Sequence, residues 1–465
     1  MIGLAATAPM LLTELTVEAA QQIVVPPGGI DTPLLERLRS LVGLVCLLLM
    51  AWALSTDHSK IPWRVILWGV GLQFLFGLFI LKTATGEAIF DTAGLVVTEL
   101  LGFTKDGATF VFGNLVDQTV PVGVIGQDGF EAAPGQVAET GAAFAFFVLP
   151  TIIFFSSLMT VLYHLGIMQW LVRGFALVMQ RTMGTSGAET LSAAGNIFVG
   201  QTEAPLLVKP FIERMTNSEL MAVMTGGFAT VAGGVLAVYI GWMITYFPDV
   251  AGHMIAASVM SAPAALAVSK LMHPETERPE THGGVEIAVD RPDVNVVDAA
   301  ARGASEGLHL ALNVGAMMIA FIALIFLING ILGWIGGLAG FDALSLEWIL
   351  GWILAPLAWL MGVPWVDAHA VASLLGVKTV LNEFIAYLQL AGSIGAGTTM
   401  EPRSIIIATY ALSGFANFGS IAVQIAGIGG IAPSRRQDLS RLGLRAMIGG
   451  TIAAFMTATV AGMLL

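Results

Sequence analysis

Residues 195–205 read Gly-Asn-Ile-Phe-Val-Gly-Gln-Thr-Glu-Ala-Pro and divide the apolar segment 185–215 into two arms. With about 14 residues before the polar turn and about 10 after it, the arms would be roughly 15–20 Å long as helices, whereas a bilayer core is about 30 Å thick. Neither arm can cross a membrane, so the segment is predicted to form a re-entrant hairpin with Glu203 at its tip. Pro205 suits the first turn of the second arm, where its missing N–H costs nothing.

A second apolar segment, residues 366–392, is interrupted in the same way by Asn382-Glu383-Phe384. Each hairpin is followed by a glycine-interrupted span with nearly the same tetrapeptide: Gly227-Phe-Ala-Thr230 after the first and Gly414-Phe-Ala-Asn417 after the second. Three predicted crossings per unit, an odd number, place the two units in opposite orientations. The pattern therefore predicts an inverted repeat, which is typical of secondary transporters.

The composition identifies the environment of this pattern. Only 11% of the 465 residues are charged and 56% are hydrophobic, whereas soluble domains carry about 25% charged residues. This excludes a soluble enzyme, and the net charge of −12 excludes nucleic-acid binding. The single cysteine, Cys46, excludes a disulfide framework. The fold class predicted is an all-α polytopic membrane protein with two re-entrant hairpins and interfacial helices.

Apolar runs predict eight transmembrane helices, at about 37–55, 62–81, 142–164, 218–246, 251–272, 308–335, 404–431 and 443–464. The charged stretch 82–141 is expected to lie along or above an interface. Most of the basic residues fall on one side of these spans, which predicts that this side is cytoplasmic and that both termini lie outside. The N-terminus lacks a basic region, so no cleaved signal peptide is expected.

These elements predict the following organisation of the chain. The parts are an N-terminal extension at 1–36, scaffold helices and an interfacial segment at 37–141, a first repeat unit at 142–272 with its hairpin at 185–215, a polar cytoplasmic loop at 273–307, and a second repeat unit at 308–465 with its hairpin at 366–392.

The two glutamates at the hairpin tips are the strongest functional candidates. An ionised Glu at mid-bilayer costs about 2.5–3.5 kcal/mol on insertion scales, so it usually marks function. A structural tie to a neighbouring helix and a proton relay are the alternatives. Because no Arg adjoins Glu203 or Glu383, an anionic substrate is disfavoured. Carboxylates next to amides such as Gln201 and Asn382 favour a neutral molecule rich in O–H and N–H donors.

A coupling ion is predicted beside the first hairpin. Asn196 and Thr230 offer oxygens near interrupted backbone, and hard oxygen donors of this kind suit Na⁺. Asn196 could instead make only an inter-helix hydrogen bond. The sequence has no nucleotide-binding P-loop motif, so ATP is not expected to drive the protein directly.

The motifs at 195–205, Asn382-Glu-Phe-Ile-Ala-Tyr387 and Gly414–Asn417 closely resemble the concentrative nucleoside transporter family, and most of all its bacterial sodium-coupled branch. The resemblance extends from about residue 37 to the C-terminus. It implies a homotrimer in which each protomer has a scaffold domain and a mobile transport domain that holds both hairpins. Two positions depart from the family pattern: Thr230 where Ser is expected, and Gly419 where Ser is frequent.

The resemblance also implies roles for individual residues. Gln201, Thr202, Glu203 and Val235 would face the nucleobase, and Glu383, Asn417 and Ser420 would hold the ribose hydroxyls, with Phe415 against the nucleoside. Sodium would bind the side chains of Asn196 and Thr230 and the carbonyl groups of Val199 and Val231.

The resulting hypothesis is a sodium-driven nucleoside importer of the bacterial inner membrane that works by alternating access and is not an enzyme. The same fold driven by protons is the first alternative. An intramembrane enzyme that uses the paired glutamates, and a channel, are the other two.

Overall fold

The computed structural model describes residues 32–117, 119–126, 129–139, 144–282, 293–341 and 344–465. The predicted N-terminal extension falls almost entirely outside these residues. The described part is mainly α-helical, as the sequence predicts, and its helices are numbered α1 to α17 below. It also contains one two-stranded antiparallel sheet.

The helices and strands of the first half follow one another along the chain. They are α1 (Leu34–Ala53), α2 (Trp63–Lys82), α3 (Ala84–Phe112), β1 (Thr119–Gly126), β2 (Gly129–Glu139), α4 (Leu149–His164), α5 (Ile167–Met183), α6 (Gly187–Gly195), α7 (Lys209–Ile212), α8 (Asn217–Ala229), α9 (Gly233–Met243) and α10 (Val250–Met272). A short π-helical segment precedes α4 at Phe144–Val148, and a 3-10 helix precedes α7 at Ala204–Val208.

The second half is entirely helical in its described residues. Its helices are α11 (Val296–Leu338), α12 (Leu346–Leu360), α13 (Trp365–Val380), α14 (Glu383–Gly395), α15 (Pro402–Leu412), α16 (Phe418–Ile431) and α17 (Arg436–Leu464).

The two halves repeat one order of elements. In the first half, α5 precedes a hairpin of α6 and α7, then a helix broken into α8 and α9, then α10. In the second half, α12 precedes a hairpin of α13 and α14, then a helix broken into α15 and α16, then α17. Two neighbouring helix pairs are sharply bent, by 77° between α4 and α5, at the start of the first unit, and by 119° between α12 and α13, within the second unit. The predicted repeat of hairpin and broken helix is therefore present.

Five helices in the described part of the chain are long and apolar enough to cross a membrane, and up to seven if each bent pair is one span. The predicted total of eight is not reached by this measure. The predicted span 404–431 is divided into α15 and α16, and α1 begins with the charged residues Glu36, Arg37 and Arg39. The protein is nevertheless a multi-pass helical membrane protein.

The stretch 82–141, predicted to lie along or above an interface, contains the 29-residue helix α3 and the β1–β2 hairpin, in which Val120 pairs with Ala138. Two predicted boundaries need correction. The polar loop predicted at 273–307 ends earlier, since α11 begins at Val296 and is capped by the Asn295 side chain. The second hairpin extends to Gly395 rather than to residue 392.

The base of the first hairpin is fixed by a buried polar cluster. Both α6 and α8 begin with a reciprocal capping box, formed by Ser186 with Glu189 and by Thr216 with Glu219. The Ser186 hydroxyl donates to Glu219 at 2.6 Å, and the buried Lys270 ammonium lies 2.6 Å from Glu189. These bonds satisfy the N–H groups that helix starts leave open, and they tie the hairpin to α8 and α10.

Helix α17 packs closely against α8, the first half of the first broken helix. A Cβ atom placed on Gly450 would overlap the Cβ of Phe228 and lie 3.0 Å from its carbonyl carbon. Phe228 is fully buried and adjoins the break in the α8–α9 helix. Glycine at position 450 therefore sets the distance between α17 and the broken helix.

Replacing Gly450 with Ala is expected to lower the melting temperature of the detergent-solubilised protein by several degrees, because overpacking of this kind costs about 1–3 kcal/mol. Gly392→Ala is the matched control, since Gly392 is also helical and a Cβ there meets nothing within 4 Å. Thermal unfolding of both variants followed by size-exclusion chromatography checks the expectation. Equal melting temperatures for the two variants would contradict the packing described.

Candidate functional site

The first hairpin ends in an irregular polar tip between α6 and the 3-10 helix at Ala204–Val208. Its turn is closed by backbone bonds from Glu203 N–H to Gly200 O at 3.1 Å and from Phe198 N–H to Gly195 O at 3.0 Å. The Glu203 carboxylate lies directly over Gly200, so that a Cβ atom there would force the carboxylate to move. The tip therefore presents Gln201, Thr202 and Glu203 from compact, non-helical backbone.

The breaks in the two discontinuous helices pack against each other. The Phe415 N–H donates to the Thr230 carbonyl at 3.3 Å, and a Cβ on Gly414 would lie 2.9 Å from the Phe228 carbonyl oxygen. The similar tetrapeptides identified in the sequence thus meet at one place, and glycine at position 414 permits the contact. Broken helices leave backbone groups available to ligands at such a point.

A chain of hydrogen bonds joins the first hairpin to the second repeat. The Gln201 amide donates to the Ser420 hydroxyl at 3.2 Å, and Gln424 donates to the Gln201 side-chain oxygen at 3.0 Å. The Ser420 N–H donates in turn to the side-chain oxygen of Asn417, the N-cap of α16, at 2.8 Å. All four side chains are buried. Residues predicted to contact base and ribose are therefore connected across the two repeats.

Glu383 closes this chain at the tip of the second hairpin. Its carboxylate accepts hydrogen bonds from Asn417 at 2.9 Å and from the Tyr239 hydroxyl, on α9, at 3.0 Å. The Tyr239 ring stacks on Tyr387 with centroids 4.4 Å apart, and both rings are fully buried. A carboxylate has about four lone-pair positions, so Glu383 can still accept hydrogen bonds from a ligand. Glu383 therefore makes the predicted structural tie to a neighbouring helix and also keeps lone pairs that can accept hydrogen bonds from a ligand.

Glu203 has different surroundings. It is exposed to a cavity of about 480 Å³, within the size range of small-molecule pockets. Thr202, Val199 and Val235 also line this cavity, which opens toward Arg302 on α11. Arg302 is paired with Asp293 at 2.7 Å, and that hydrogen-bonded pairing raises the pKa of the Arg302 guanidinium and lowers the pKa of Asp293.

The structure thus divides the predicted substrate residues between two connected places. Thr202, Glu203 and Val235 line the open cavity. The other group is the hydrogen-bonded network of Gln201, Ser420, Asn417 and Glu383. Phe415 lies at the contact between the two helix breaks and is partly exposed. Thr202 contacts α16, because a Cβ on Gly427 would lie 2.8 Å from the Thr202 methyl group.

The four predicted sodium ligands lie at the junction of the first hairpin and the α8–α9 break. Asn196 and Thr230 cap the C-terminal ends of α6 and α8, and both side chains are buried, as are Val199 and Val231. The Asn196 amide nitrogen donates to Ser192 O at 3.1 Å, whereas its oxygen has no donor among the described residues. A buried unsatisfied oxygen is costly. An oxygen-coordinated cation such as Na⁺ would satisfy it, so these residues fit the ion.

Sequence reasoning missed Tyr239 and Gln424, the two side chains that complete the hydrogen-bond network. Each follows a predicted site residue by four positions on the same helix, Val235 on α9 and Ser420 on α16. Side chains four apart share a helix face. A polar group at that spacing on an otherwise apolar helix is the signal that identifies them.

Family models match most of the chain. The description Na⁺ dependent nucleoside transporter N-terminus covers residues 42–115, and Na⁺ dependent nucleoside transporter C-terminus covers residues 253–462. A model described as Nucleoside recognition matches residues 145–245, which include the first hairpin and the α8–α9 break.

Individual relatives are similar over nearly the whole chain. An uncharacterized transporter of Haemophilus influenzae is 43% identical, with 92% of this chain and 97% of that protein covered. Solute carrier family 28 member 3 of Mus musculus is 43% identical over 92% of this chain, and sodium/nucleoside cotransporter 1 of the same organism is 42% identical over the same share. The chain spans 59% and 64% of the length of these two mouse proteins.

Solved structures of the transporter CNTnw have the same fold. The inward-facing, substrate-bound structure has a TM-score of 0.81 and 42% identity, with 92% of this chain and 98% of that chain covered. An outward-facing variant has a TM-score of 0.81 and 41% identity, with 92% and 97% covered.

Proposed function

The chain belongs to the concentrative nucleoside transporter family, and from this premise we propose that it is a sodium-coupled symporter that imports nucleosides by alternating access. The observation that carries the proposal is the hydrogen-bond network that joins Gln201, Ser420, Asn417 and Glu383. It connects hydrogen-bonding groups suited to a nucleobase, on one hairpin, with groups suited to a sugar, on the other repeat.

The chemistry of these residues supports an uncharged substrate with several donors. Glu383 and Asn417 can accept hydrogen bonds from ribose hydroxyls, and bonds to a carboxylate are shorter and stronger than neutral ones. Gln201, Thr202 and Glu203 offer both donors and acceptors to the edge of a base. Phe415 and Val235 supply apolar contact on either side.

Sodium supports nucleoside binding through the first hairpin in this proposal. An ion held by Asn196, Thr230 and the Val199 and Val231 carbonyls would fix the tip of that hairpin against the α8–α9 break. Fixing the tip places Gln201 and Glu203 for the substrate. By linkage, the nucleoside must raise sodium affinity by the same factor.

The proposal extends to the assembly and its setting. We propose a homotrimer in the bacterial inner membrane with both termini outside the cytoplasm, as the family resemblance and the distribution of basic residues suggest. The cavity beside Glu203 would then open to the cytoplasm, because Arg302 lies on the predicted cytoplasmic side. The mass of the detergent-free particle, measured by native mass spectrometry, tests the trimer.

Uptake by proteoliposomes tests the proposed function. Purified protein is reconstituted, and radiolabelled uridine and adenosine are offered with an inward sodium gradient, with an inward proton gradient, and with neither. Accumulation above equilibrium is expected only with the sodium gradient. Accumulation that follows the proton gradient and ignores sodium would select the proton-coupled alternative. Chemical conversion of the nucleoside without a gradient would point to an enzyme.

A further inference from the structure

A cleft of about 530 Å³ lies where the C-terminal ends of α1 and α10 meet the first turns of α17. The end of α1 is tied to the end of α10, because the Thr56 N–H donates to the Met272 carbonyl at 2.9 Å. The described residues that line this cleft differ from those that line the cavity beside Glu203. Helix α10 and the segment Pro433–Leu464, which contains α17, are each apolar and long enough to cross a membrane. Their ends at the cleft therefore lie near a membrane surface.

Two arginines of α17 line the cleft without a carboxylate partner in the part of the chain that the structure describes. Arg441 is exposed and Arg445 is half-buried, and side chains four positions apart lie on one face of a helix. Neither arginine belongs to an ion pair among the described residues. Asp438, an acid in the cleft lining, is already paired with Arg435 at 2.8 Å. The cleft therefore carries two positive charges that no described acid pairs with.

His273 belongs to the same positive surface. It caps the C-terminal end of α10, and its Nδ1 lies 3.3 Å from the Thr56 hydroxyl oxygen. Burial lowers the pKa of the His273 imidazole, and the neighbouring Arg445 and Lys270 cations lower that pKa further. The effect of these cations is a second sign that positive charge is concentrated on this side of the cleft.

The remaining wall of the cleft is apolar and partly open. Its apolar lining residues are Leu54, Met272, Leu442, Leu444 and Ile448. Leu54 is 40% exposed and Leu444 is 52% exposed, so both present hydrocarbon in the same cleft as the two arginines. Trp52, two residues before Leu54, is 37% exposed, and its indole N–H donates to the His58 carbonyl. An exposed tryptophan at a helix end is typical of the boundary between membrane and water.

Cationic groups beside exposed hydrocarbon match a ligand that has an anionic group attached to apolar chains. We propose that the cleft binds one anionic phospholipid, with its phosphate between Arg441 and Arg445 and its acyl chains over Leu54 and Leu444. The guanidinium fork matches phosphate oxygens through paired hydrogen bonds, and basic pockets between membrane helices bind anionic lipid headgroups. Inorganic phosphate or a nucleotide would satisfy the arginines but would leave both leucines uncovered, so the lining favours a lipid.

The cleft adjoins the base of the first hairpin. Asn217, the first residue of α8, lines the cleft and accepts a hydrogen bond from Arg435 at 2.9 Å. The Ser218 hydroxyl donates to the His273 carbonyl at 2.7 Å. A lipid in the cleft would therefore hold the ends of α1, α10 and α17 together beside the start of α8. Because a ligand that binds only the folded state stabilises it, the lipid is expected to raise the melting temperature.

Lipid retention tests the site directly. The double variant Arg441→Gln/Arg445→Gln removes both charges. Arg436→Gln is the matched control, because Arg436 is an exposed arginine of the same helix and lies outside the cleft lining. Delipidated protein is titrated with phosphatidylglycerol or phosphatidylcholine and measured by native mass spectrometry. Wild-type protein and the control should prefer phosphatidylglycerol and bind it at least about 10-fold more tightly than the double variant does. Equal binding by the control and the double variant would overturn the proposal.

Melting temperatures distinguish a lipid from a soluble anion. The wild-type protein and the double variant are heated with phosphatidylglycerol, phosphatidylcholine or inorganic phosphate at matched ionic strength. Phosphatidylglycerol alone should raise the melting temperature of the wild-type protein by a few degrees, and the double variant should not respond. An equal rise with inorganic phosphate would identify a soluble anion and overturn the assignment of a lipid. Absence of any rise with phosphatidylglycerol would overturn the proposal as well.

Leu444→Gln keeps the proposal testable if the double variant folds poorly. This variant retains both arginines and replaces an exposed side chain with a polar one where an acyl chain would lie. Its affinity for phosphatidylglycerol should fall about fivefold or more, and unchanged affinity would overturn the placement of the chains. None of these measurements involves nucleoside or sodium, so their failure is distinct from failure of the proposed function.

Discussion

Glu383→Gln is expected to reduce sodium-driven nucleoside uptake at least about 100-fold, because two ribose hydroxyls lose a charged acceptor and hydrogen bonds to charged groups contribute about 1.5–3 kcal/mol each. The new amide group would also present a donor to Tyr239 or Asn417, which already donate to this position. Initial uptake rates in proteoliposomes and equilibrium binding in detergent both measure the loss.

The matched control for this variant is Glu213→Gln. Glu213 is an exposed glutamate at the base of the first hairpin and takes no part in the network. Size-exclusion profiles of both variants verify that they are folded before uptake is compared. Uptake by Glu383→Gln within a fewfold of the control would contradict the role assigned to the second hairpin.

Asn196→Ala is expected to raise the sodium concentration for half-maximal uptake at least about 10-fold, the factor that corresponds to about 1.4 kcal/mol. The variant removes the buried oxygen that lacks a donor in the described part of the chain. Nucleoside affinity at saturating sodium should change much less, because Asn196 is not among the residues proposed to contact the substrate. A sodium titration of uptake at several nucleoside concentrations separates the two effects.

Asn313→Ala provides the comparison for the sodium titration. Asn313 is exposed on α11 and stands outside both hairpins. Its replacement should leave the sodium dependence unchanged. If Asn196→Ala gave the same titration curve as Asn313→Ala, sodium would have to bind elsewhere.

The sequence was sufficient to predict the elements that interrupt apolar helices. Polar turns such as 200–205 and Asn382–Glu383 stand out within apolar segments. Comparing the length of a helical arm with the thickness of the bilayer core then shows whether the arm can cross the membrane. The hairpins and both breaks are therefore found close to where the sequence predicts them. The start of α11 was missed because its first turns are polar, although Ala, Glu and Arg favour an exposed helix.

Contacts between the repeats were beyond sequence reasoning. Tyr239 reaches Glu383 over 144 positions of the chain, and Gln424 reaches Gln201 over 223. Neither pairing follows from local periodicity, because both depend on how the two broken helices cross. The β1–β2 hairpin was likewise missed, since Pro121 and Gly123 lie between its alternating valines and such residues argue against a strand.

The central claim is that sodium and the nucleoside bind to connected parts of a single site. Isothermal titration of the purified wild-type protein with uridine and adenosine, in sodium buffer and in choline buffer, tests this claim most directly. Nucleoside affinity should be at least about 10-fold higher in sodium, and a sodium titration should show the same factor when nucleoside is present. Equal nucleoside affinity in the two buffers would contradict the account.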